Sequence, residues 1–256
     1  MSAAAGASGD GGNTAGCGVI ITIDGPAGTG KSSVARELAR RLGLDFLDTG
    51  AMYRAAAAIA LDRNIPIDQP RELVEAVVKA DLRFDWTTDP PTLLADGQSV
   101  MRRIRDADVT AVVSPIAGIP ELRRLMVERQ RRIAAEHPRL VSEGRDQGSV
   151  VFPNADLKFY LDASPEIRAA RRAAQLRRGG REAEESVLVR EIMERDRSDS
   201  TRADGPLVCP QGAERIDTSG LGFEEVVGTL ERIARGRLGA RVRGGERAVA
   251  PGSAQC

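Results

Sequence analysis

The chain has 256 residues, with 37 Lys plus Arg against 37 Asp plus Glu, a formal net charge of zero, eight aromatics and one histidine. Balanced charge and scarce aromatics argue against a nucleic-acid partner, and scattered Cys17, Cys209 and Cys256 offer neither zinc-site spacing nor a disulfide framework. No apolar run approaches the ~20 residues that span a bilayer, so no membrane partner is expected, and the cysteine usage suits a reducing cytoplasm.

Residues 1–18 are rich in Gly, Ala and Ser and lack the basic start and apolar block of a signal peptide, so a disordered tail is expected. The β-branched run Val19-Ile20-Ile21-Thr22-Ile23 reads as a strand covered on both faces. A Gly/Pro-rich turn follows, and Val34, Leu38 and Leu42 then recur at helical spacing over 32–42. Strand, turn and helix in that order open a parallel α/β unit. Further helices are predicted over 51–62 and 71–80. Between Leu82 and Ile104 the texture changes to short strands, Leu82–Trp86 and Thr92–Ala95, around turns at Asp89-Pro90-Pro91 and Asp96-Gly97. This predicts an inserted subdomain, about residues 63–120, that contains a small β-sheet. A helix over 121–135, a strand at Arg139–Glu143 and another at Leu157–Leu161 come next. Ser164-Pro165-Glu166 starts a helix, and the arginine-dense stretch 168–181, broken by Gly179-Gly180, reads as mobile. Helices are predicted over 184–195 and 223–237, and a disordered tail over 239–256. No internal repeat is visible.

Gly25-Pro26-Ala27-Gly28-Thr29-Gly30-Lys31-Ser32 satisfies G-x-x-x-x-G-K-[ST], directly after a strand and directly before a helix. Backbone N–H groups from Gly25 through Ser33 would hold phosphate oxygens at the helix's positive end. Lys31 would reach the β- and γ-phosphates and the Ser32 hydroxyl would ligate Mg²⁺. A nucleoside triphosphate is therefore the expected ligand. Transfer to a small acceptor, hydrolysis as a switch or motor, and a transport role all remain compatible with the loop. The chain lacks the N-K-x-D string of guanine-reading switches, and Leu140-Val141-Ser142-Glu143 is a poor match to the acidic strand end of a motor. A small-acceptor kinase is favoured.

Asp48-Thr49-Gly50-Ala51-Met52-Tyr53-Arg54 alone is a weak pattern that a helix cap at Thr49 would also produce. Taken with Ile21 through Ser32, it resembles bacterial cytidylate kinase, of the nucleoside monophosphate kinases. Glu143-Gly144-Arg145-Asp146-Gln147-Gly148-Ser149-Val150-Val151-Phe152-Pro153, Arg195-Asp196-Arg197-Ser198-Asp199-Ser200-Thr201-Arg202, and Ser164-Pro165-Glu166 with Arg171-Arg172 extend the likeness over roughly 19–236. The resemblance implies a P-loop α/β fold of three layers with a central parallel sheet, a kinase domain over 19–238, a monophosphate-binding insert and a helical lid at about 168–186. It implies ATP as donor with Mg²⁺, CMP and dCMP as acceptors, and a monomer.

By the same resemblance Thr49, Arg54, Arg145 and Arg202 approach the acceptor phosphate and sugar. Ser114, Arg123 and Asp146 read the cytosine edge, and Arg195 and Asp199 meet the ribose. Lys31, Arg54, Arg145 and Arg202 would be the catalytic cations. Gln147, where Ile or Met is usual, Ser149 for Thr, and Ala203-Asp204-Gly205 for A-V-A depart from the family pattern. Fixed guanidinium groups suit the task, because two phosphate groups must meet against their own repulsion and a rigid fork grips two oxygens at once. No base of unusual pKa is required, which fits a chain with one histidine. That residue, His137, reads as exposed or capping. Arg168, Arg171, Arg172 and Arg178 lie at helical steps that would let one face close over nucleotide phosphates, or simply form a solvated face. A kinase for UMP or AMP, and a regulatory protein that binds nucleotide without turnover, remain as alternatives.

Overall fold

The apolar run near the start of the chain becomes the middle strand of a five-stranded parallel sheet. The computed structural model describes residues 18–242; the remainder of both expected tails, with Cys17 and Cys256, lies outside the described residues. Strand β1 (Val19–Asp24) is flanked by β6 (Arg139–Glu143) and β7 (Leu157–Asp162), with β2 (Asp45–Asp48) and β8 (Glu214–Asp217) at the edges, giving the order β2-β6-β1-β7-β8. Every pairing in this sheet is parallel. Val19, Ile21 and Ile23 are fully buried on one face against α1 (Lys31–Leu42) and α8 (Phe223–Leu238). Continuous apolar strands are what a sheet covered on both faces requires.

The other face carries α2 (Thr49–Asp62) and α5 (Pro120–Glu136), and between them lies the expected insertion. It comprises α3 (Pro70–Lys79), an antiparallel sheet of β3 (Arg83–Asp85), β4 (Thr92–Ala95) and β5 (Gln98–Ser99), and α4 (Ala107–Ala117). Leu93, Ile104, Val109, Val113 and Ile116 are buried in one continuous cluster with Met52, Ala56, Leu122 and Met126. The insertion thus shares its core with α2 and α5. His137 pins it further. The ring stacks on Trp86 at a centroid distance of 3.8 Å, and Nδ1 lies 2.9 Å from the Asp45 carboxylate. His137 does cap α5, but it sits in a three-way contact, not free in solvent.

Two helices, α6 (Pro165–Arg178) and α7 (Glu185–Thr201), occupy the stretch expected as a lid. Ser164 caps α6 by accepting the Ile167 N–H, as Ser-Pro-Glu predicts. Residues 239–242, expected as the start of a tail, form a 3₁₀ turn that buries Val242.

Candidate active site

Among the core strands the chain visits β1, then β2 at one edge, returns to β6, and crosses over β1 to β7. Ligands of open α/β sheets bind outside the carboxyl ends of the strands where the order reverses, and the phosphate loop leaves β1 at that point. Gly25 has φ +145°, and a Cβ there would lie 2.0 Å from the Leu161 carbonyl oxygen. Only glycine lets the loop pass so close to β7. Lys31 is buried, with Nζ donating to the Pro26 carbonyl at 2.7 Å. Burial, and then the Arg145 charge, bring its pKa down to about 7.

The acidic end of β6, a poor match to the strand of a motor, meets the phosphate loop. Glu143, the last residue of β6, is buried, and Ser32 Oγ donates to its Oε1 at 2.7 Å. Burial first, and then the Asp48 charge, raise its carboxyl pKa. The available signal was an apolar strand, Leu140–Ser142, ending in an acid directly before a glycine. Ser32 and Glu143 supply hard oxygen donors beside the phosphate loop. That set fits Mg²⁺, which keeps several waters and takes one or two protein oxygens plus phosphate. No cluster of three or more acidic, His or Cys ligands occurs among the described residues.

Asp24, at the end of β1, accepts the N–H of Gln147 at 2.8 Å and of Gly148 at 2.7 Å. It thereby anchors the π-helical turn Gln147–Val151 and, with it, Arg145 and Asp146. Burial pushes its pKa up to about 6, although those two N–H groups oppose the shift. Gln147, the departure from an apolar residue, turns into the interior. Its Oε1 accepts from Ser142 at 2.8 Å and its Nε2 donates to Gln130 at 3.1 Å.

Arg145 and Arg195 lie close enough to Lys31 for their charges to act on it, and Arg54 lies close to both of those arginines. Their charges act on one another, and burial followed by Arg145 lowers the Arg195 pKa to about 10. Such a concentration of like charge is costly without an anion. Arg54 also donates to the Ile104 carbonyl at 3.1 Å and to Thr110 at 2.9 Å, tying α2 to the insertion. Asp199 on α7 offsets part of this charge, accepting from Arg145 Nε at 3.1 Å and Ser114 at 3.0 Å. Burial alone would raise its pKa, but Arg145, Arg195 and Arg202 outweigh that and hold it low.

A second constellation forms beside the first. Arg123 is 1% exposed and pairs through Nη2 with Asp146, while Nη1 reaches the Tyr53 hydroxyl at 3.4 Å. Asp204 lies 3.4 Å from Arg123 Nε, so the added negative charge meets a guanidinium. Arg202 donates to the Gly205 carbonyl and feels both Asp146 and Asp199. Ser114 bonds to Asp199 in the first group, not to Arg123 and Asp146, with which the resemblance grouped it. Thr49 is buried, and its hydroxyl donates to the Glu143 carbonyl at 2.7 Å. The cap of α2 is Asp48, which accepts the Ala51 N–H.

The arginine face expected to close over phosphates is mostly engaged elsewhere. Arg168 is buried against the phosphate loop through the Ala27 carbonyl, and Arg171 donates to the Thr218 hydroxyl and carbonyl. Arg178 donates to the Ala174 carbonyl. Arg172 donates to Gln175 Oε1 at 3.0 Å, and its charge acts on Arg54. A cavity of about 570 Å³, lined in part by Ala163, Ser164, Arg168, Asp217 and Ser219, opens at the carboxyl ends of β7 and β8. No described helix is long and apolar enough to cross a membrane.

The profile of the family described as Cytidylate kinase matches residues 21–235. Two curated proteins named cytidylate kinase, from Rhodococcus jostii (strain RHA1) and Rhodococcus opacus (strain B4), are each 44% identical to this chain. The matches cover 87% and 86% of this chain and 97% and 96% of those proteins. A cytidylate kinase from Caldanaerobacter subterraneus subsp. tengcongensis is 44% identical over 82% of this chain and 91% of its own length.

Proposed function

The chain belongs to the cytidylate kinase family, and from that membership and its cleft we propose that it transfers the γ-phosphoryl group of ATP to CMP, and also to dCMP. The observation that carries this reading is the convergence of Lys31, Arg54, Arg145 and Arg195 on one cleft beside a complete phosphate loop. A protein that only bound ATP would gain nothing from a second cationic group with its own paired acid.

In this reading the loop N–H groups and Lys31 hold the donor phosphates, and Ser32 with Glu143 would hold Mg²⁺. The metal, when bound, supplies charge neutralisation between the β- and γ-phosphates. Arg54, Arg145, Arg195 and Arg202 offset the repulsion between donor and acceptor phosphates, most strongly where charge spreads over the transferring group. Arg123 and Asp146 offer a donor and an acceptor to the cytosine edge, and Asp199 with Ser114 receives the sugar. The attacking phosphate oxygen is already ionised, so no side chain need remove a proton. Segment 63–120 receives the acceptor, and 168–186 closes to exclude water from the transferring group. The reading includes Mg·ATP as donor, a monomer, and a place in pyrimidine metabolism in the cytoplasm, in keeping with the unpaired, exposed Cys209.

Direct transfer is tested with ATP labelled in its γ-phosphate. Label recovered in CDP supports it, whereas label recovered only as inorganic phosphate would contradict it.

A further inference from the structure

Arg168 is 3% exposed, yet each nitrogen of its guanidinium has a partner in a different segment. Nε donates to the Ala163 carbonyl at 2.9 Å, at the end of β7. Nη1 donates to the Ala27 carbonyl at 3.1 Å, inside the phosphate loop. Nη2 meets Asp196 Oδ2 on α7 at 2.6 Å. The packing is close as well, since a Cβ at Gly28 would lie 3.2 Å from Arg168 Cβ. A planar fork with donors in fixed directions can serve three acceptors at once, and an ammonium on a flexible stem cannot.

What Arg168 holds through Asp196 is the helix that carries Arg195. Helix α7 packs along α6, with Leu188, its one buried apolar residue, against Ala169 and Ala173. Val189 and Ile192 pack partly buried beside it, and nearer the cleft the helix is held by two carboxylates three residues apart, which lie on one side of a helix. Asp196 reaches towards the phosphate loop through Arg168, and Asp199 reaches towards the acceptor side through Arg145 and Ser114. Arg195 precedes Asp196 directly, and its own Nε is buried without a hydrogen-bond partner among the described residues. Its guanidinium is therefore located by the setting of α7 more than by bonds of its own.

We infer that Arg168 and Asp196 form a positioning pair, coupling the phosphate loop to α7 so that Arg195 is set between donor and acceptor phosphates. Neither residue need touch a reacting atom. The pair acts through the Ala27 carbonyl on one side and the register of α7 on the other. This inference rests on the phosphoryl-transfer reading above, so the test includes the unaltered enzyme.

Arg168→Lys, Asp196→Asn and the double variant are compared with the unaltered chain in initial rates, with ATP and CMP each varied, and in thermal unfolding. A misplaced group at a transfer site costs ~10–100-fold in rate, so each single variant is expected to lose about that much kcat. The KM for CMP is expected to stay within about threefold, because Arg123 and Asp146 lie off α7 and Asp199 keeps its own bonds to Arg145 and Ser114. The double variant should be no slower than the worse single one, since both break the same link. A lowered Tm with unchanged kcat would overturn the inference, as would losses in kcat that simply multiply. Should Arg168→Lys fail to fold, Asp196→Asn, nearly the same shape, decides the matter by the same kcat and KM criteria. No CDP from the unaltered enzyme would overturn the kinase reading and this inference with it. An active parent with equally active variants would overturn the inference alone.

Discussion

Ser32 and Glu143, 111 residues apart in sequence, meet through a hydrogen bond of 2.7 Å between hydroxyl and carboxylate at the mouth of the phosphate loop. The contact exists because β1 and β6 are adjacent parallel strands whose carboxyl ends open on the same side, with Ile23 opposite Glu143. Glu143→Gln keeps an acceptor for Ser32 and removes the charge. We expect kcat to fall about 10–100-fold and the Mg²⁺ concentration for half-maximal rate to rise. The Tm should hold or increase, because burial makes the ionised carboxyl costly. Rates across a Mg²⁺ titration, read beside thermal melts, check this, and an unchanged metal requirement would count against it.

Asp146 neutralises an arginine that water barely reaches. Asp146→Ala leaves that charge buried, a change that typically costs about 3–5 kcal/mol. The nearby Asp204 softens the loss. Asp146→Asn should be better tolerated while still lowering the preference for CMP over UMP by ~10-fold or more, the scale of one lost charge-assisted bond. The KM for ATP should stay within about twofold. Thermal melts and rates with both pyrimidines separate the two effects.

Gly205 lies against the same arginine. Its φ is +57°, and an added Cβ would be 1.9 Å from Arg123 Nη2 and 2.5 Å from Asp146 Oδ2. Gly205→Ala should raise the KM for CMP several-fold and lower the Tm. Gly212→Ala is the control, since its φ of +75° carries a similar backbone penalty of ~1–2 kcal/mol but nothing lies within 4 Å. Equal behaviour of the two variants would show that backbone strain alone is at work.

The sign of one pH effect follows from Asp24. Its pKa in the folded state, about 6, lies above the ordinary aspartate value of 3.8. The folded protein therefore holds the proton more tightly than the unfolded chain. The associated stability is fully present below about pH 4 and is lost as pH rises towards 6. Asp24→Asn removes that dependence, and adds a roughly constant cost because one of two N–H groups loses its acceptor. The Tm of the parent relative to the variant should fall between pH 4.5 and 7. A difference that stays flat across this range would refute the assignment.

The central strand, the phosphate loop and helices α1, α5 and α8 were legible because apolar spacing and one stringent motif fixed them locally. Strand β8 was missed because it is a half-exposed edge of four residues, Glu-Arg-Ile-Asp, with one apolar side chain. Helix α4 was missed because Pro115 and several β-branched residues obscure its period. At the site, residue types were legible and their partners were not. Nothing local to Ser114 points to Asp199, 85 positions later, and nothing in 168–181 distinguishes an arginine that grips the Ala27 carbonyl from one facing solvent. Those pairings are set by the sheet order, which brings distant strand ends and helices to one cleft.

The most direct test of the kinase reading is the initial rate of ADP release with Mg·ATP and each of CMP, dCMP, UMP, AMP and GMP. We predict fast release with CMP and dCMP, slower release with UMP, and little above the acceptor-free rate with either purine. Equal rates with and without every acceptor would contradict phosphoryl transfer, and a preference for AMP would contradict the assignment of Arg123 and Asp146 to the base.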